Sequence, residues 1–185
     1  MIRAISVVRL VAALLIPMAG GTVSAADLNN TIYLDVPAGR VVIELRPDLA
    51  PLAVAQVKSL AKKGFYDGLK FHRVIAGFMA QTGDPTGTGS GGSGHPLKAE
   101  FSQAHFLRGT VGMARTNDPD SADSQFFICF KATPFLDGKY TIVGQVTQGM
   151  EFVDAIKIGD PQSGAVTNPD RIVKMQVAAD AEKKK

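Results

Sequence analysis

From Tyr66 onward the chain repeats one device: a short apolar or aromatic run, then a glycine, proline or aspartate that ends it. Such runs fall near 70–75, 78–82, 109–115, 125–130 and 140–146, with the length and bounding of β-strands. Ahead of them, Thr31-Ile-Tyr-Leu-Asp-Val36 and Arg40-Val-Val-Ile-Glu-Leu45 are β-branched runs separated by Pro37-Ala-Gly39, which reads as a hairpin. Arg171-Ile-Val-Lys-Met-Gln-Val177 alternates as a closing strand. Two helices are expected. One covers about 50–63, where Val54, Val57, Leu60 and Ala61 share a face, Pro51 suits the first turn and Gly64 stops it; the other covers about 149–157, where Met150, Val153 and Ile156 recur at a helical interval. The last residues, Ala181 to Lys185, read as a frayed, solvated tail. About eight strands with two helices suit a closed barrel plugged at its ends, because closure removes exposed edges; periodicity alone does not establish that closure.

Composition narrows the classes further. A chain of 185 residues with 45% hydrophobic content has room for one compact domain. Lys+Arg 20 against Asp+Glu 17 gives no broad basic field, so a nucleic-acid partner is not expected. The single cysteine, Cys129, excludes an intrachain disulfide and a cysteine-based zinc cluster.

The first 26 residues read as an address. Arg3 and Arg9 precede the apolar run Leu10 to Ala19, and small residues follow up to Ala26, the layout of a secretory signal peptide. The run is about ten residues, well short of the roughly 20 that a membrane-crossing helix needs, so no membrane anchor is expected. Cleavage is expected after Ala25 or Ala26, leaving one domain over 27–185 in the periplasm of a bacterial host. Without Arg3 and Arg9 the balance is 18 basic against 17 acidic residues, and a lone Cys129 in an oxidising compartment is safest when buried.

Several motifs suggest chemistry and fail on context. Gly87, Gly89 and Gly92 satisfy G-x-G-x-x-G, but His95-Pro96 follows where a dinucleotide site needs a helix; a flexible or tightly turned surface loop is the better reading. Asp118, Asp120 and Asp123 echo a calcium loop, yet Ala122 stands where an oxygen is required, so 117–123 reads as a turn-rich loop. His72, His95 and His105 share no metal-ligand spacing. No metal and no cofactor is expected, and a hydrolase triad is not inferable from serines this common.

The segment Phe71-His-Arg-Val-Ile-Ala-Gly-Phe-Met-Ala-Gln-Thr-Gly-Asp84 is more informative. In strand geometry Arg73, Ile75, Met79 and Gln81 share one side, an apolar floor with a polar rim. The plainer alternative is that Phe71, Val74, Ile75 and Phe78 fill the core and Arg73 is a surface charge.

Taken together, Gly64-Phe-Tyr-Asp-Gly68, Phe71-His-Arg73, Gly77-Phe-Met79, Gln81-Thr-Gly-Asp84, Gly109-Thr-Val-Gly-Met-Ala114, Ser124-Gln-Phe-Phe-Ile128 and Leu136-Asp-Gly138 occur in an order that resembles the cyclophilin-type peptidyl-prolyl cis-trans isomerases, in particular the short exported bacterial members. The resemblance runs from about Thr31 to Val177. It implies a mainly β fold, a closed eight-stranded antiparallel barrel capped by two helices, and an enzyme that isomerises X-Pro bonds without cofactor or metal. Arg73 matches the family's catalytic arginine. Phe78, Met79, Phe127 and Leu136 match the walls of the proline pocket, with Gln81, Ala114 and Gln125 along the groove. Arg115 and Thr116 match a pair that meets the peptide backbone, and Gly89 falls in the loop bordering the neighbouring pocket.

Two positions depart from the pattern of eukaryotic members: Phe135 replaces a tryptophan and Tyr140 a histidine. The first removes an indole N–H that the family uses on cyclosporin, so weak cyclosporin binding is expected; the second keeps an aromatic wall. The resemblance implies proline-containing unfolded or partly folded exported polypeptides as partners, and a monomer is expected. The competing class is a non-catalytic proline-peptide-binding module, which would have no use for a donor aimed at the prolyl nitrogen.

Overall fold

The computed structural model describes residues 27–183, so the expected signal peptide lies outside the described residues. Eight antiparallel strands form one sheet: β1 (Thr31–Val36), β2 (Gly39–Leu45), β3 (Arg73–Ile75), β4 (Met79–Thr82), β5 (Thr110–Met113), β6 (Phe126–Cys129), β7 (Ile142–Gln148) and β8 (Lys174–Val177), in the spatial order β3-β4-β6-β5-β7-β2-β1-β8. The expected strands are all present: β1 as expected, β2 one residue longer at its start, β7 shifted two residues onward, and the rest shortened by one to three residues at one or both ends.

Closure of the barrel is corrected. β3 and β8 are the two ends of the order and share no ladder, so the sheet is a curled, open half-barrel. The physical reason lies in residues 157–173, the segment leading into β8, which occupies the gap. Gly68 N–H donates to the Ile172 carbonyl at 2.8 Å, Phe71 N–H to Asp170 at 2.9 Å and Val74 N–H to Gly164 at 2.8 Å, while Val173 N–H donates to Asp35 of β1 at 2.8 Å. Irregular chain thus satisfies the edge groups that a barrel would satisfy by strand pairing.

Helix α1 (Pro51–Lys62) buries Ala53, Val54, Val57, Leu60 and Ala61 and packs against β8. Its first turn has no local cap; the Glu100 carboxylate, 48 residues away, accepts from Leu52 and Ala53 N–H at 2.9 Å each, satisfying two orphan donors and favouring the helix dipole. Helix α2 (Met150–Asp154) is shorter than the expected 149–157. The Asp170 carboxylate takes the Lys157 N–H at 2.8 Å, which draws the backbone out of the helix. A third short helix, α3 (Ala178–Glu182), occupies part of what was expected to be tail, anchored by buried Ala178.

Two apolar clusters divide the interior. The larger lies inside the half-barrel, with Ile32, Leu34, Val41, Tyr66, Phe71 and Ile128 among its members. The smaller, Met79, Phe106, Phe127, Cys129, Leu136 and Ile142, lies on the other face of β4, β5 and β6. Strand alternation sends Phe126 and Ile128 inward and Phe127 and Cys129 outward, so all of β6 is buried. Burial pushes the Cys129 thiol up to about 11, away from reactivity. The outer cluster is the foundation of the groove described next.

Candidate functional site

The register of four strands lines up one row of residues: Arg73 on β3 faces Gln81 on β4, Gln81 faces Phe127 on β6, and Phe127 faces Gly112 on β5. Ile75 faces Met79 in the neighbouring row, so Arg73, Ile75, Met79 and Gln81 share one side as the alternation requires. Phe71 and Val74 point to the core instead, both fully buried. The reversal between β3 and β4 depends on Gly77 at φ 65°, a left-handed position that glycine adopts without strain. Gly112 serves by lacking a side chain: a Cβ there would stand 2.5 Å from Phe127 Cζ and 2.7 Å from Phe106 Cε1. Phe127 stacks on Phe106 at 5.9 Å and meets Tyr140 edge-on at 6.0 Å.

Over this row opens a cavity of about 640 Å³. Met79, Phe127 and Leu136 form its buried floor, while Phe78 and the exposed Phe135, with rings 5.4 Å apart, stand at its mouth. Arg73, Gln81, Ala114, Arg115 and Tyr140 complete the expected set. A second cavity of about 200 Å³ shares Gln81, Ala114 and Arg115 with the first and is lined by Gly89, Thr116 and Gln125. All of the expected residues therefore fall on one continuous groove. Asn117 and Lys139 in the first cavity, and Ser90, Ser121 and Asp123 in the second, escaped the sequence reading; Lys139 was flanked by two recognised positions, Gly138 and Tyr140, the one available signal.

A chain of hydrogen bonds runs along the groove. Arg73 Nη1 donates to Gln81 Oε1 at 3.2 Å, Gln81 Nε2 to Gln125 Oε1 at 2.9 Å, and Gln125 Nε2 to the carbonyls of Gly89 and Gly91 at 3.0 and 2.8 Å. Arg73 Nε also donates to the Ser163 carbonyl at 3.2 Å, in the segment that fills the seam. The guanidinium is thus held from two sides without a carboxylate.

Arg115 is committed differently from the expectation that it meets the peptide backbone. Its Nε and Nη2 donate to the Lys139 carbonyl at 3.2 and 2.9 Å, its Nη1 to the Thr116 carbonyl at 2.8 Å, and its plane lies 4.5 Å from the Tyr140 ring centroid and 5.6 Å from that of Phe101. It fastens the loop after β5 to the loop carrying Leu136 and Tyr140.

The glycine-rich loop is tied down. The Asp84 carboxylate, 1% exposed, accepts from the N–H groups of Thr86, Thr88 and Gly89 at 2.7, 3.0 and 2.5 Å and from the Thr86 hydroxyl at 2.8 Å. Burial alone would raise its pKa, but these hydrogen bonds together hold it well below the usual carboxylate range. Asp123 accepts from Gly94 and His95 N–H at 2.8 and 3.2 Å, Asp118 from Asp120 N–H, and Asp120 from Ala99 N–H. The three aspartates that echoed a calcium loop therefore hold backbone. Among the described residues, no group of three or more His, Cys, Asp or Glu is arranged to hold a metal. Under the loop, both ring nitrogens of His72 are buried without a hydrogen-bond partner, and burial lowers its pKa against the opposing pull of Asp84.

Residues 31–177 match the family profile described as cyclophilin type peptidyl-prolyl cis-trans isomerase/CLD. The chain is 54% identical over 172 residues to a probable peptidyl-prolyl cis-trans isomerase of Brucella suis, covering 86% of this chain and 88% of the relative. It is 44% identical over 135 residues to peptidyl-prolyl cis-trans isomerase B of Bacillus subtilis, covering 72% and 94%. Among solved structures, the cyclophilin AquaCyp293 from Hirschia baltica superposes with a TM-score of 0.76 at 29% identity, covering 84% of this chain and 76% of that one. A cyclophilin-type isomerase from Cryptosporidium parvum, crystallised in the presence of the dipeptide Ala-Pro, gives 0.73 at 29% identity over 80% and 98%.

Proposed function

The chain belongs to the cyclophilin-type peptidyl-prolyl cis-trans isomerases and accelerates rotation about the bond preceding proline; on that premise we propose that Arg73 is its catalytic donor and that its clients are exported polypeptides. The X-Pro amide prefers trans by only about 0.5–1 kcal/mol, yet resonance sets a barrier of about 18–20 kcal/mol. In the twisted transition state that resonance is lost and the prolyl nitrogen regains its lone pair. A donor that meets the nitrogen only then binds the transition state better than either ground state.

Arg73 suits that task because its guanidinium stays charged and serves as a fixed donor, with no proton to transfer. Gln81 and the Ser163 carbonyl hold it in place before substrate arrives, and preorganisation of this kind is what makes such a donor effective. The observation that carries the assignment is the cross-strand row, which sets Arg73 beside an apolar floor of Met79, Phe127 and Leu136.

Phe78, Phe135, Ala114 and Tyr140 act as the remaining walls, with Gln125 and Gly89 bordering the next residues of the substrate. Phe135 presents no N–H, which favours weak cyclosporin binding. The groove is complete within one chain, which supports a monomer. The leader-like residues 1–26 support export and a periplasmic role on folding chains whose slow proline steps limit them.

The test is cis-trans exchange in a short X-Pro peptide with the mature chain, for wild type and Arg73→Ala. Acceleration that falls by about 10²-fold or more in the variant at similar peptide affinity supports Arg73 as the donor. A variant as active as wild type overturns it, and a folded wild type that binds the peptide without accelerating exchange favours the binding-module reading.

A further inference from the structure

The charges around the first cavity are of one sign. Its charged lining residues are Arg73, Arg115 and Lys139, and no carboxylate lines it. Elsewhere among the described residues three arginines are ion-paired, Arg40 with Asp35, Arg46 with Asp48 and Arg108 with Asp154, each at 2.6 Å, while Arg171 donates to the Gly68 carbonyl. The cations of the groove are not ion-paired. Arg73 and Arg115 donate only to neutral oxygens, and the ammonium of the exposed Lys139 has neither an ion pair nor a hydrogen bond among the described residues. The nearest acidic side chain of the same loop, Asp137, is occupied by Phe106 N–H at 2.8 Å and His105 at 2.7 Å. Asp123, in the second cavity, is consumed by the glycine-rich loop.

We propose that this groove selects acidic proline segments, those with an aspartate or glutamate next to the proline, and that Lys139 is the residue that sets the preference. The inference rests on the isomerase reading above and adds a substrate class to it. Three cations bordering one concave, partly apolar cavity focus a positive potential there, because field lines are poorly screened by low-dielectric walls. Two of the three have fixed positions: Arg73 is held by Gln81 and the Ser163 carbonyl, and Arg115 by the carbonyls of Lys139 and Thr116. Lys139 differs. Its backbone carbonyl is pinned by Arg115, while its side chain is a flexible stem whose ammonium reaches to whatever carboxylate the bound peptide presents. The apolar floor reads the ring, and the rim reads the charge of the neighbour.

The experiment uses the mature chain and peptides carrying Glu, Gln or Lys immediately before or immediately after the proline, with kcat/KM from exchange rates and Kd from titration at low and high salt. At low ionic strength the Glu peptide at one or both positions exceeds its Gln counterpart by about threefold or more and the Lys peptide falls below it, a spread that closes at about 0.5 M salt. Lys139→Glu reverses the order of the Glu and Lys peptides. Equal values for all three residues at both positions, or a preference untouched by salt and by Lys139→Glu, overturns the proposal. If no peptide is accelerated, the isomerase reading fails by itself and the Kd values decide the charge preference.

Discussion

Arg73 Nη1 and Gln81 Oε1 lie 3.2 Å apart across a register pair of β3 and β4, and the same glutamine passes its own N–H to Gln125. Gln81 therefore orients the guanidinium and ties it to the glycine-rich loop. Gln81→Ala leaves Arg73 held only through Ser163, and the donor loses its aim. Exchange measurements are expected to find kcat lowered between about ten- and a hundredfold with peptide affinity nearly unchanged. An unaltered kcat would remove Gln81 from any role in positioning.

Arg115 exchanges five possible donors for loop carbonyls and two aromatic faces. Arg115→Lys keeps the charge and loses the fork, so Tyr140 and the Lys139 carbonyl lose their common anchor. The expected result is a KM raised about three- to tenfold for every peptide, with the ranking of Glu, Gln and Lys peptides retained. An unchanged KM with the ranking retained would mean that Arg115 acts through its charge alone and that its fork is dispensable.

Gly112 is expected to tolerate nothing larger. Gly112→Ala drives a methyl into Phe127 and Phe106, displacing the floor of the cavity. Overpacking costs about 1–3 kcal/mol, readable as a lower midpoint in urea, and the proline pocket loses affinity at the same time. Full activity in this variant would mean that the ring of Phe127 is dispensable.

His72 predicts a pH dependence. Its folded pKa is below the ordinary 6.5 because burial outweighs the attraction of Asp84, with Arg73 opposing protonation as well. As pH falls through about 6.5 the unfolded chain takes up a proton that the folded chain refuses, so stability declines on the acidic side. His72→Phe is expected to flatten that part of the curve. Asp84 acts lower on the scale: its stabilisation is complete above the ordinary carboxylate value of 3.8 and is lost as pH falls through its depressed folded value. Urea melts between pH 4.5 and 8 for wild type and His72→Phe check the first step; parallel curves would contradict it.

Most of the strands were legible because each carries its own stop. The alternation of Arg73, Ile75, Met79 and Gln81 around Gly77 places a cation beside an apolar floor by strand period alone. The open seam was not legible, because 157–173 is irregular chain whose job is defined by partners about 90 to 140 residues earlier, such as Gly68 and Asp35, and no local period records that. The same holds for Glu100 capping α1 and Asp170 ending α2: both act at a distance in sequence. Arg115 was recognised as a groove position, yet its clamp on Tyr140 depends on two loops meeting in space. Lys139 had only its recognised neighbours Gly138 and Tyr140 to mark it, since a lone lysine in a turn reads as solvated surface.

The pairing of β1 with β8, in which Ile32 faces Val177, sets an order in time. A chain synthesised from its N-terminus has the groove's four strands, β3 to β6, in hand by Cys129, but β1 keeps one side unpaired until β8 is made. The strands under the groove are thus complete in the sequence well before the sheet is. A truncation that stops short of Lys174 leaves the stretch Ile32 to Asp35 of β1 open to any passing strand, so β8 acts as a guardian against sticking together rather than as a contributor to the chemistry.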